Sequence, residues 1–493
     1  MSIPPTTPAG PRRRLGLSLG LLAFAQLIFS LDLNIVFVAL PDIGSDLGFS
    51  GQTQQWVVSA YVVFAGGFLL LGGRAADLLG RRRMFALALT LYASSSLAGG
   101  LAWSPLVIVI ARAIQGIGGA LLLPSTLSLI NTLFEEGPRR NRALAVWGGA
   151  GASGLTVGAL LGGVLTQTFG WQAVFFVNVP LAGIAALAAL FVIPADVRER
   201  TRRPFDLPGA LTVTGGATLA VFVLVQGPES GWTAPGVLMA AVLAIVLLIA
   251  FVIIESRSAD PLMPLRLLGN RNLTTGVLVT FVYMATFGTL PYFLTVLLQS
   301  VHSLTALQTG LAFLVPSVAI ASGTQLGERL TTRLGTRFTL ITGFGIAIVG
   351  TAALAYGFSA DRGYLALIPG LVISGVGQGI VWTAMWIAAG TGVEVAEQGV
   401  ANGMASTTLN LGNAIGLAVL IAVSNSDIAG HSGPALQAAL AQGGSIAVLI
   451  ASAGMVVGLL LALTLPRTAS TGETASVQRR SESAPKTGRW RRE

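Results

Sequence analysis

The chain has no cysteine in 493 residues, only two histidines and one lysine, and charged residues of all kinds make up just 10% of it. Without cysteine there is no disulfide, no thiolate chemistry and no cysteine-based metal site, and the redox compartment leaves no mark. The single lysine, Lys486, lies in the C-terminal tail, and nothing matches G-x-x-x-x-G-K-[ST]. ATP bound by this chain is therefore not its expected energy source. No metal cluster, hydrolase elbow or nucleophile–base pair is visible, so an enzyme reading has nothing to stand on. The histidines, His302 and His431, fall in loops expected to face outside and are poor candidates for proton coupling.

What is abundant is apolar: 53% of the residues are hydrophobic. Water would not keep such a surface in solution, whereas a bilayer would. A membrane barrel needs short alternating strands, and this chain instead shows long unbroken apolar runs, so helices are expected. Runs long enough to cross a bilayer fall near 15–40, 54–73, 84–103, 105–131, 143–166, 172–193, 207–226 and 235–254. Six more fall near 272–299, 307–326, 338–358, 364–389, 400–424 and 445–465. Arg12, Arg13 and Arg14 before the first run imitate a signal peptide. That run is too long for one, carries Asp32 and has no small-residue cleavage site, so it reads as the first span.

The arginines test the count of about fourteen. If both termini are cytoplasmic, basic residues should crowd the tails and alternate loops. They do so at Arg12–Arg14, Arg74 with Arg81–Arg83, Arg139–Arg142, Arg198–Arg203, Arg257–Arg271, Arg329–Arg337 and in the C-terminal tail. That places 27 of the 29 basic residues on one side. The net charge of +9 is thereby read as membrane orientation, not as a nucleic-acid surface. The spans group as six, two and six. The expected organisation is a cytoplasmic tail 1–14, a six-helix bundle 15–194 and an inserted pair with its linkers at 195–271. A second six-helix bundle follows at 272–466, then a disordered cytoplasmic tail at 467–493. The outside loop 425–444 has a helical look at its Pro434–Leu440 stretch.

A weak internal repeat links the two six-span groups. Gly72-Gly73-Arg74-Ala-Ala-Asp77-Leu-Leu-Gly80-Arg81-Arg82 is echoed by Gly327-Glu328-Arg329-Leu-Thr-Thr332-Arg333-Leu-Gly335, and Gln115-Gly116-Ile-Gly118 by Ser374-Gly375-Val-Gly377. Two related bundles with a site between them is a transporter arrangement. The echo is lopsided, since Asp77 faces Thr332 and Arg112 faces Leu371, which puts the coupling chemistry in the first bundle.

Asp32 is the acidic residue deep inside a span, and an intramembrane carboxylate costs at least ~2.5–3.5 kcal/mol, so it persists for a reason. A group that is neutral in one state and charged in another can carry a proton or grip a cation. Arg112 is the basic residue within a span; it keeps its charge and must be paired, hydrated or snorkelled. Gln115 shares its helix face. At the end of the second span, Gly73 and Gly80 allow close approach and a sharp reversal. There Asp77, with Arg81 and Arg82, is placed to pair with an arginine or to cap a helix. Gly154, Gly158, Gly162 and Gly163 give the fifth span a small-residue face for helix packing. Asn34, Trp56, Tyr61, Phe287, Tyr292, Trp382, Trp386 and Asn410 are candidate cavity-lining residues.

These motifs resemble the major facilitator superfamily, and within it the fourteen-span drug:proton antiporter branch. Leu31-Asp32-Leu-Asn34-Ile-Val36-Phe-Val-Ala39-Leu40-Pro41 is similar to that branch's first-span motif, with Asn34 in place of threonine and Phe37 in place of asparagine. Gly73–Arg82 resembles the gating loop, and Arg112-Ala-Ile-Gln115-Gly116-Ile-Gly118 the fourth-span motif tied to proton coupling. Gly154–Gly163 resembles the antiporter motif, with Ala159 where proline is usual. Trp171–Pro180 and Pro261–Asn272 add to the likeness, which covers nearly all of Leu15–Pro466.

The resemblance implies an all-α major-facilitator fold and a multi-pass protein of the cell membrane. It also implies proton-coupled antiport of small amphipathic drugs or antibiotic-like metabolites, with the proton gradient as energy source, no cofactor, no metal and a functional monomer. A proton-driven importer and a ligand-binding sensor that moves nothing are the alternatives left open.

Overall fold

In hydrocarbon a backbone has to satisfy its own hydrogen bonds, and the apolar stretches accordingly become helices. The computed structural model describes residues 11–49, 54, 56–196, 206–258, 261, 263–424 and 432–466. Arg198, Arg200, Arg202, Arg203, His431 and the tail from residue 467 lie outside the described residues, as do residues 1–10.

The helices in chain order are α1 (Pro11–Leu47), α2 (Trp56–Leu79), α3 (Arg81–Gly100), α4 (Pro105–Leu133), α5 (Pro138–Phe169), α6 (Gln172–Phe176) and α7 (Asn178–Val192). Next come α8 (Leu207–Ser230) and α9 (Pro235–Arg257). The remainder are α10 (Arg271–Thr286), α11 (Leu290–Val296), α12 (Ala306–Ala312), α13 (Leu314–Leu334), α14 (Thr336–Gly357), α15 (Ile368–Gly390), α16 (Gln398–Ser424) and α17 (Gly433–Leu463). Proline supplies the first turn of α4, α5, α8, α9, α15 and α17, where its missing N–H costs nothing.

Among the described residues, twelve segments are long and apolar enough to cross a membrane. The apolar stretches near 84–103 and 143–166 are also helical, as α3 and α5, but these two are less apolar. Several of their glycines, among them Gly99, Gly154 and Gly158, pack closely against neighbours. The last span differs from expectation at its start. Helix α17 runs 31 residues from Gly433, so most of the expected 425–444 loop after residue 432 is its first three turns.

Helices α1 to α7 pack on one another, as do α10 to α17, and the pair α8–α9 lies against α2 with α8 also reaching α16. Much of α9 faces outward, with Met239, Val242 and Ile245 more than half exposed, as a lipid-facing helix should be. Trp56 stacks on Phe222 of α8 with ring centres 5.8 Å apart, and a Cβ on Gly67 would strike Thr218, so small residues of α2 seat the pair.

The glycine echo seen in the sequence has a common geometry. Gly116 of α4 rests on the Tyr61 backbone of α2 and Gly118 on α3 around Ala88. Gly375 of α15 rests on α13 at Pro316 and Ala319, and Gly377 on Ala347 of α14. Likewise Gly154 and Gly158 of α5 press on the Leu27 and Leu31 carbonyls of α1, as Gly412 and Gly416 of α16 press on the Phe281 and Ala285 carbonyls of α10. Without glycine these backbones cannot meet. Gly158→Leu is expected to cost about 1–3 kcal/mol or more through overpacking and to lower the melting temperature of the purified protein. Gly163→Leu, where a Cβ meets nothing within 4 Å, serves as the control that should not.

Candidate functional site

Asp32 lies midway along α1 with no exposed surface, and four side chains donate hydrogen bonds to it. Arg112 Nη1 reaches Oδ2 at 2.8 Å, Tyr92 Oη reaches Oδ2 at 3.1 Å, Gln115 Nε2 reaches Oδ1 at 2.9 Å and Asn178 Nδ2 reaches Oδ1 at 2.7 Å. The first contact is an ion pair between two side chains that are each at most 2% exposed. The donors come from α3, α4 and α7, all in the first bundle. Asp32 is thus enclosed within that bundle and does not reach toward the second.

Arg112 does not snorkel. Its Nε donates to the Val57 carbonyl at 2.9 Å, its Nη1 also reaches Gln115 Oε1 at 2.8 Å, and its guanidinium lies 4.4 Å over the Tyr61 ring. Gln115 Nε2 makes a further bond to Ser96 Oγ at 3.0 Å, and the Tyr61 and Tyr92 hydroxyls are 3.2 Å apart. A buried charge is tolerable only when paired and hydrogen-bonded, and here each member supports the others.

The sequence pointed to Asp32, Arg112 and Gln115, and the structure brings all three together. It did not point to Tyr92, Ser96 or Asn178. Asn178 carried the one visible signal, an amide inside an otherwise apolar stretch, at the start of α7.

A second cluster closes the seam between the bundles at the arginine-bearing end. The Asp77 carboxylate accepts the backbone N–H groups of Gly399 and Val400, at 3.1 and 3.0 Å, and so caps the N-terminus of α16. Arg81 bridges Asp77 at 3.1 Å and the Val395 carbonyl across the seam. Gly73 touches the Gly399 backbone, where any side chain would collide. Asn131 Nδ2 donates to Gln398 Oε1 at 2.9 Å and Asn141 Nδ2 to Thr332 Oγ1 at 3.1 Å, so this end is shut on both sides. Gly80, at φ +104°, turns the chain from α2 into α3, and Asp196 accepts the N–H groups of Arg82 and Arg83 at 3.0 and 3.2 Å. Arg82 also reaches the Leu190 carbonyl, which ties the turn to the end of α7.

The other named residues scatter. Gly154 and Gly158 pack on α1 as described; Gly162 and Gly163 are buried, a Cβ on Gly163 would meet nothing within 4 Å, and the side chain of Ala159 lies outside the described residues. Tyr61 belongs to the Asp32 cluster and not to a cavity, and Trp56 belongs to the α8 junction. Tyr292 is 41% exposed beside Phe293. Phe287 is fully buried between Tyr283 and Phe344, Asn410 donates to the Ser406 carbonyl at 3.0 Å, and Asn34 is half-buried on α1. Trp382 and Trp386 do meet the first bundle. Both pack on Trp147 of α5, which the sequence did not single out, with ring centres 6.0 and 5.8 Å away.

Two helical bundles that meet at a latched seam, one of them holding a buried ion pair, form the scaffold of a membrane transporter. The chain belongs to the Major Facilitator Superfamily, whose pattern matches residues 22–417. It is 36% identical over 479 residues to the puromycin resistance protein pur8 of Streptomyces alboniger, covering 95% of each chain. It is 36% identical over 411 residues to the cephamycin export protein CmcT of Amycolatopsis lactamdurans, covering 82% of this chain and 84% of that one. Its fold matches the solved proton:xylose symporter XylE with a TM-score of 0.66 at 15% identity, over 94% of this chain and 99% of the other. The protein is therefore an integral membrane transporter of small molecules.

Proposed function

We propose that the chain is a proton-coupled antiporter that exports amphipathic drugs or antibiotic-like metabolites across the cell membrane by alternating access. In this reading the arginine-bearing end and both termini are cytoplasmic, the proton gradient supplies the energy without a bound cofactor, and one chain suffices. The kinship with resistance and export proteins supports the cargo class.

The observation that carries the coupling is the enclosure of Asp32. In this arrangement four donors, one of them a guanidinium, hold its carboxylate. Protonation would remove the reason for Arg112 and Asn178 to stay, and would loosen α1 from α4 and α7. Because the cluster lies wholly within the first bundle, proton and cargo do not compete for the same atoms. The proton acts on the cargo through the packing of α1, which rests on α5 at Gly154 and Gly158 and so on the helix that bears Trp147. The Asp77 latch and the Asn131–Gln398 contact then hold the cytoplasmic end shut while the other end exchanges cargo.

The test is flux in proteoliposomes with an imposed pH gradient. Asp32→Asn keeps the shape and removes the titrating group. It is expected to bind cargo within a few-fold of the wild type while losing at least ~100-fold of gradient-driven export, since a transport step that needs the proton is deleted. Full gradient-driven export by Asp32→Asn would refute the reading. Accumulation inside the compartment from which export is expected would reverse its direction.

A further inference from the structure

Just inside the latch, the seam between α4, α15 and α16 carries polar side chains that have no hydrogen-bond partner among the described residues. Asn131 fixes the register, because it bonds Gln398 of α16 and lies against Gly390 of α15. One helical turn deeper, the same faces present Ser128, Trp386 and Asn402. A turn deeper again, three or four residues along each helix, come Ser125, Trp382 and Ser406. Of these six, all but Trp382 are at most 1% exposed. Yet the hydroxyls of Ser125, Ser128 and Ser406, both ends of the Asn402 amide and the two indole N–H groups have no hydrogen-bond partner. Trp147, fully buried on α5 and packed against both indoles, adds a third unpartnered N–H.

Each such atom penalises the closed seam, since a buried donor or acceptor without a partner forfeits the bonds it would make in water. One orphan is ordinary. A patch of them drawn from both bundles, beside the latch, is a surface built for another occupant. Its chemistry is specific. The indoles offer flat apolar faces and only donors, the serines and the amide offer both donors and acceptors, and no member carries charge. Asp32 adds nothing here, because its charge is held by Arg112 inside the first bundle.

We propose that this patch is the cargo-contacting surface, and that it selects uncharged, planar, oxygen-rich aromatic molecules over organic cations. The role of cargo site rests on the export reading above. A flat ring system lies between the indoles, and its carbonyl and phenol oxygens take up the N–H and O–H groups that the closed seam leaves unpaired. A permanent cation finds no counter-charge in the patch.

The test uses the full chain in lipid nanodiscs, with emodin as the neutral planar probe and ethidium as the cationic one, at a pH where emodin is uncharged. Affinity is read by equilibrium dialysis, which does not depend on the indole fluorescence. Trp386→Phe and Asn402→Leu are each expected to weaken emodin about tenfold, the effect of one lost hydrogen bond. Trp103→Phe, on a residue 79% exposed, should leave it unchanged, and ethidium should bind weakly to all forms. Without ligand, Asn402→Leu and Ser406→Ala should raise the melting temperature, because they remove unpaired atoms. A residue with a purely structural role would lower it. Unchanged emodin affinity in folded Trp386→Phe and Asn402→Leu overturns the proposal, as does ethidium binding that is tighter than emodin and is lost in the same variants. Should Asn402→Leu not fold, Trp386→Phe and Ser406→Ala decide alone. Flux in proteoliposomes separates the two readings. Binding with no flux in the wild type defeats export and leaves the patch standing, whereas flux with unaltered binding in the variants defeats the patch and leaves export standing.

Discussion

Arg112→Ala is expected to yield little folded protein. The substitution leaves the Asp32 carboxylate, with no exposed surface, facing three neutral donors inside an apolar bundle. Removing one partner of a buried ion pair costs about 3–5 kcal/mol, because the remaining charge has neither water nor counter-ion. That is a large share of the ~5–15 kcal/mol that keeps a typical protein folded. The loss of the Val57 and Gln115 contacts adds to it. The double variant Asp32→Asn with Arg112→Gln removes both charges and keeps hydrogen-bonding groups in place. It should regain most of the melting temperature without regaining gradient-driven flux. Thermal unfolding of the purified proteins checks the first half, and proteoliposome flux the second. A melting temperature for Arg112→Ala equal to that of the wild type would show that the pair is not what holds the cluster.

Asp77→Ala is expected to shift the balance of conformations at least tenfold toward the form open at the arginine-bearing end. Two hydrogen bonds from α16 to a carboxylate disappear, and Arg81 loses its anchor. Bonds to a charged group contribute about 1.5–3 kcal/mol each, so even half of one is worth several-fold in an equilibrium. Of the contacts that remain, Asn131 with Gln398 and Asn141 with Thr332 link uncharged groups, and the Gly392 N–H reaches the Glu136 carboxylate only at 3.3 Å. The natural lack of cysteine makes the measurement direct. Spin labels placed through Arg139→Cys and Arg333→Cys, both exposed beside the Asn141–Thr332 contact, report the opening as a longer distance. An unchanged distance distribution in Asp77→Ala would mean that the seam is shut by packing alone.

Much of this was legible in the residues because it depends on local rules. Apolar runs had to become helices, since a bilayer offers the backbone no other partner. Asp77 announced a cap because it precedes a glycine turn at a helix end, and Asp32 and Arg112 stood out as charges where charge is costly. Gln115 followed from helical spacing alone. The missed members depend instead on which distant helix lies opposite. Tyr92 and Ser96 look like ordinary residues of α3 until α1 and α4 are placed beside them. Trp147 gains meaning only from two indoles on α15. Trp56 and Tyr61 look like cavity residues in the sequence for the opposite reason, since an aromatic residue in an apolar run does not declare which face of the helix it occupies. The extension of α17 back to Gly433 had a readable signal in Pro434, the residue best suited to a first turn.

The Asp77 latch is unequal in its heredity. On the α2 side it depends on one carboxylate, which a single codon can remove. On the α16 side the donors are the main-chain N–H groups of Gly399 and Val400, and at Val400 almost every amino acid would supply one equally well. Position 400 can therefore drift in sequence without unlatching the protein, except toward proline, which carries no N–H, whereas position 399 must stay glycine because even a Cβ would strike the backbone of Gly73. Variation that loosens this latch while sparing the rest of the fold should accumulate at positions 77 and 399 and not at position 400.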